Sequence, residues 1–149
     1  MEKINNFFNK VTSPLDYFVK LLVQFCLGIS FFLHGYGKIP ISQGFIDFLS
    51  SKGVPLSIIS AHIVAWAEIF SGLGLIIGGI LSLRSSTLGN LITRFSALTI
   101  VIVMINALFI GHSHWSIFIG EQRAILFASE QLFLLVLGLF FLIKGNYSK

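Results

Sequence analysis

Four long apolar runs decide what this chain can become: residues 17–36, 58–81, 90–111 and 124–143. A hydrocarbon core of about 30 Å takes about 20 helical residues to cross, and each run reaches that length. Lipid offers the backbone no hydrogen-bond partners, so runs of this kind must satisfy themselves as helices. Composition agrees. Of 149 residues, 55% are hydrophobic and 11% charged, and the mean hydropathy is +0.90, far from the balance of soluble domains. The expected fold class is an all-α membrane protein: a four-transmembrane-helix bundle formed by one domain over 1–149, with the lipid bilayer as its first partner.

Charge and cysteine usage remove other classes. The net charge of +4 comes from ten Lys and Arg spread through short connecting segments. No basic cluster of the kind that holds nucleic acid is present, so nucleic acid is excluded as a partner. Cys26 is the single cysteine. It allows no internal disulfide, no CxxC redox pair and no iron–sulfur cluster held by the chain's own thiolates. Electron chemistry would need a bound cofactor or a partner.

The segments outside the runs are short. In residues 1–16, Ile4, Phe7, Phe8 and Val11 recur at helical spacing with Asn and Lys between them, which reads as a helix lying in the membrane interface or as a frayed tail. The first run follows lysines, as a signal peptide would, but it ends in HGYGK without a small-residue cleavage pattern and is read as retained. Between the first two runs, QGFIDFLSSKGVP places Phe45, Phe48 and Leu49 at i, i+3 and i+4, with Gly53 to end a helix and Pro55 after it. That pattern predicts a short amphipathic helix on, or dipping into, the membrane. Lys3, Lys10, Lys20, Arg84, Arg94, Lys144 and Lys149 fall on one side, against Lys38, Lys52 and Arg123 on the other. The positive-inside rule then puts both termini in the cytoplasm of a multi-pass cell (cytoplasmic or inner) membrane protein.

Polar residues at membrane depth are the candidate site. Counting from Ile58, Glu68 lies about 15 Å deep, where a lone acidic charge costs about 2.5–3.5 kcal/mol on insertion scales. It must be paired, protonated or facing water. Glu130 lies about 9 Å below the outer surface by the same count, and Asn106 falls in the outer half of the third run. His34, Lys38, His112 and His114 stand at the outer ends of the first and third runs, so all four helices send a polar group to one half of the bundle. Interfacial His and Lys also simply snorkel, and a deep carboxyl can be a structural hydrogen bond. The histidines and glutamates match no metal-ligand spacing, and no metal or haem site is read from them. Beside Glu68, Ala67, Ser71, Gly74 and Gly78 form a small-residue stripe that lets another backbone approach.

The strings HGYGK, GFIDFLSSKGVP, AEIFSGLGLIIG, TRFSAL, MINALFIGH and EQLFLLVLG ahead of GNYS together resemble, in order and over most of the chain, the DoxX family of small four-span membrane proteins. Carried over position by position, the resemblance marks His34, Gly35, Lys38, Gly53, Pro55, Glu68, Gly72, Arg94, His112 and Glu130. One stretch departs from the pattern: LSLRSSTLGNLI, before Arg94, reads as a longer join than the tight turn usual there. The resemblance implies a small subunit of a quinone- or quinol-linked membrane oxidoreductase, of the thiosulfate:quinone oxidoreductase kind, beside other subunits.

Three functions follow from residues and resemblance together. In the first, Glu68, Glu130 and His34 are the proton-handling groups of a quinone site, and Lys38, Trp66, Asn106, His112 and Arg94 bind the ring, with quinone as the cofactor or substrate. In the second, the chain is a non-catalytic membrane anchor or assembly factor whose polar groups lock the bundle. In the third, the aligned carboxyl groups line a small-solute or proton pathway.

Overall fold

The computed structural model describes residues 1–111, 117–118 and 125–146, and the regular elements among them are helical. Helix α1 (Glu2–Thr12) passes through a 3-10 turn, Ser13–Leu15, into α2 (Asp16–Tyr36). Then come α3 (Gln43–Ser51), α4 (Ser57–Ser82), α5 (Ser86–Gly111) and α6 (Glu130–Lys144), the last preceded by a 3-10 turn at Leu126–Ala128. Among the described residues three stretches are long and apolar enough to cross a membrane: Glu2–Tyr36, Ser57–Ser82 and Thr87–Gly111.

The fourth run starts later than its hydropathy implies. Ile125 is extended, and the Ser129 hydroxyl accepts the Leu132 N–H at 3.3 Å, capping α6 just before Glu130. A side-chain cap fixes a helix start against the pull of apolar content. The resulting 15 residues measure about 22 Å, short of a hydrocarbon core. The opposite deviation occurs between the second and third runs. Helix α5 begins at Ser86, so only Leu83–Ser85 separate it from α4, and the long join expected there is a tight turn closed by the Ser85 N–H on the Leu81 carbonyl at 2.7 Å. Residues 86–89, read as join, are the first turn of α5.

Helices α2, α4, α5 and α6 alternate in direction, and α4 is the centre. Its neighbours approach through small residues. An added Cβ on Gly28 of α2 would lie 2.9 Å from the Gly72 carbonyl, and one on Gly35 would lie 2.6 Å from the Ala65 carbonyl. On the other side, Gly78 lies against Gly89 and Thr93 of α5, and Gly74 against Ser96. The expected stripe of Ala67, Ser71, Gly74 and Gly78 therefore describes the α5 contact, while the second face, through Ala65 and Gly72, meets α2. Phe31, Leu75, Ile100 and Phe141 close the core between the helices. Outward, α4 presents Phe70, Ile77 and Ile80, and α5 presents Phe95, Ile102 and Phe109, all exposed. A chain with an apolar core and an apolar exterior is built for lipid contact.

Candidate functional site

At the end where α2 and α5 finish and α4 and α6 begin, the helices enclose a cavity of about 730 Å³, within the range of small-molecule sites. Its walls are apolar: Phe45 and Phe48 from α3, Ile63 from α4, Val103 and Met104 from α5, and Leu134 from α6. Helix α3 is fixed there by Ser42, whose hydroxyl accepts the Phe45 N–H, and by Leu49, which is buried. Gly53 (φ +74°) turns the chain back toward α4, a conformation open to glycine at little cost.

Among the described residues, the titratable groups that line this cavity form two pairs. Lys38 stands just past the end of α2. Its ammonium donates to the His34 carbonyl at 3.1 Å and forms an ion pair with the Glu68 carboxylate. Glu68 is only 3% exposed, so its paired carboxylate is held away from water between α2 and α4. The second pair is wetter. His34 Nε2 meets Glu130 Oε1 at 2.9 Å, and both side chains are partly exposed. His34 lies in the last turn of α2 and Glu130 in the first turn of α6, where the helix dipoles favour a cation and an anion respectively. Asn106 joins from α5, with its Nδ2 donating to the Ile102 carbonyl at 2.8 Å. The arrangement offers N–H donors and proton-accepting oxygens in the wall of an apolar chamber.

Of the candidate residues, His34, Lys38, Glu68, Asn106 and Glu130 line this one cavity. Trp66 is not among its lining residues. Two positions on a helix are about 200° apart, so a residue two before Glu68 points away from it, and the indole is 47% exposed and stacked on Phe70 at 5.5 Å. Arg94 sits at the opposite end of the bundle, where its Nη2 donates to the Ile143 carbonyl at 3.1 Å. With α5 starting at Ser86, its third turn falls beside the end of α6, and Arg94 caps that helix. His112 lies outside the described residues.

A second polar cluster escaped sequence reading. Gln24, 2% exposed in mid-α2, donates to the Leu75 carbonyl at 2.8 Å and to the Thr93 hydroxyl at 2.9 Å. Asn146 donates to the same hydroxyl at 2.8 Å and to the Gly78 carbonyl at 3.1 Å. This knot ties α2, α4, α5 and the end of α6 together below the cavity. The available signal was an uncharged amide inside an apolar run, since such residues bond across helices.

Comparison with curated proteins and with solved structures finds no match. Comparison with protein families matches DoxX over residues 19–113, a stretch that holds α3, α4, α5 and most of α2, and with them His34, Lys38, Glu68 and Asn106. With more than half its length matched, this membrane-embedded chain belongs to the DoxX family.

Proposed function

We propose that the chain is the quinone-binding subunit of a membrane oxidoreductase, crossing the cell membrane four times with both termini in the cytoplasm. In this reading the fourth crossing is α6 together with the residues before it. The observation that carries the proposal is the chamber itself: apolar walls sized for a ring, with Lys38, Glu68, His34 and Glu130 paired among its lining residues. A quinone head group fits such a donor set, because its ring is flat and apolar and its two carbonyl oxygens accept hydrogen bonds. Reduction to the quinol takes up two electrons and two protons. The electrons come from a redox group on a partner subunit, and this chain supplies binding and protons. In the drier pair the Lys38 ammonium donates to a ring oxygen and compensates charge there, and the Glu68 carboxylate accepts from Lys38 and holds it in place. His34 and Glu130, the wetter pair, exchange protons with the outer surface.

The anchor reading has its own support, because each of the four groups already has a partner on another helix or turn, as structural ties do. One experiment separates them. A short-chain azidoquinone, photolysed with the protein in lipid discs, should give saturable adducts on Val103, Met104 and Ala107, competed by unlabelled quinone and severalfold weaker in Glu68→Gln and His34→Ala. Adducts spread over the outward faces of α4 and α5, without competition, would leave the anchor reading in its place.

A further inference from the structure

Helix α1 takes no part in the bundle, and none of its residues is buried. Its phase is nevertheless that of α2. On α2, Phe18, Leu22, Ile29 and Leu33 are exposed and recur every four or seven residues, which keeps them on one side of the helix. Traced back through Leu15 and the 3-10 turn, the same side is occupied by Ile4, Phe7, Phe8 and Val11, again all exposed. Asn6 and Asn9 fall on the opposite side, in line with Gln24, which faces the bundle, and Lys3 and Lys10 flank the stripe. The apolar stripe is thus continuous over both helices.

A straight rod cannot use that stripe. Glu2–Tyr36 counts 35 residues, about 52 Å as a helix against about 30 Å of hydrocarbon. The joint between the two helices is soft, since Pro14 has no N–H and the Asp16 N–H bonds to the Ser13 carbonyl, a 3-10 bond in place of the α pattern. Bending at this joint toward the outward side of α2 turns the stripe of α1 face down onto the bilayer. Bending any other way leaves it in water.

We infer that α1 docks on the lipid surface, radiating outward from α2, with Phe7, Phe8 and Val11 in the acyl boundary and Lys3 and Lys10 at the level of the phosphates of anionic lipids. The continuity of the stripe with the outward face of α2 identifies lipid as the occupant, and the lysines supply the charge match. The inference needs only that the chain sits in a membrane, and it stands apart from the quinone reading.

The Cys26→Ser protein, in discs of phosphatidylcholine and phosphatidylglycerol, tests it with nitroxides at Phe8→Cys and Asn6→Cys. Power saturation should find the first label severalfold more accessible to oxygen than to a water-soluble nickel chelate, and the second label the reverse. Replacing phosphatidylglycerol by phosphatidylcholine should loosen the contact and raise nickel access at position 8. Equal nickel access at both positions would put α1 in water. Protection of position 8 from oxygen and nickel alike would mean that protein covers it, and either result overturns the inference.

Discussion

Glu68 and Lys38 are worth more as a pair than either is alone. Taking one charge out of water is compensated only while its partner is present, and removing a single partner of a buried pair costs about 3–5 kcal/mol, whereas replacing both with apolar residues of similar size is close to neutral. Thermal unfolding in detergent should therefore rank Lys38→Met below the double variant Lys38→Met/Glu68→Leu in stability. The reverse order would mean that Glu68 without Lys38 is not left as an uncompensated charge between α2 and α4. His34 and Glu130 are partly exposed, where pairs contribute about 0–1 kcal/mol. The same measurement should find His34→Ala close to the parent in stability, so that any loss of quinone cross-linking in that variant reports the site and not the fold.

At the scale of elements, the helices meet where side chains are missing. A Cβ on Gly72 would press on the backbone of Phe32 and Gly28, and backbone cannot step aside as a side-chain tip can. Gly53 differs: nothing lies near its missing Cβ, and only its φ of +74° favours glycine, a preference of about 1–2 kcal/mol. Gly72→Ala should accordingly separate α2 from α4 and leave a protease-sensitive, poorly monodisperse protein. Gly53→Ala should purify normally, with a melting temperature lower by a few degrees. Equal behaviour of the two variants would deny that close backbone approach holds the bundle. The α3 helix that Gly53 closes was legible in QGFIDFLSSKGVP, because capping and apolar spacing are local. The start of α6 was less so, since the hydropathy of 124–143 hides the Ser129 cap.

For the whole molecule, the proposed orientation, with both termini in the cytoplasm, requires α3 to lie outside and the α4–α5 turn inside. In a Cys26→Ser background, Ser50→Cys should react with a membrane-impermeant maleimide in intact cells or spheroplasts, and Ser85→Cys only after lysis. Both positions are exposed, so lack of labelling cannot come from burial in the bundle, and the opposite pattern would invert the protein. The sequence by itself determined the solvent, the helical class and the DoxX family, because hydropathy, helix length and ordered local strings are properties of consecutive residues. It also marked His34, Lys38, Glu68, Asn106 and Glu130 as out of place in lipid. Which of these meet was decided only by the tertiary structure. Pairing Lys38 with Glu68 and His34 with Glu130 depends on the rotation and offset of helices that are 30 and 96 residues apart in the chain, and small-residue contacts such as Gly28 on Gly72 set those offsets.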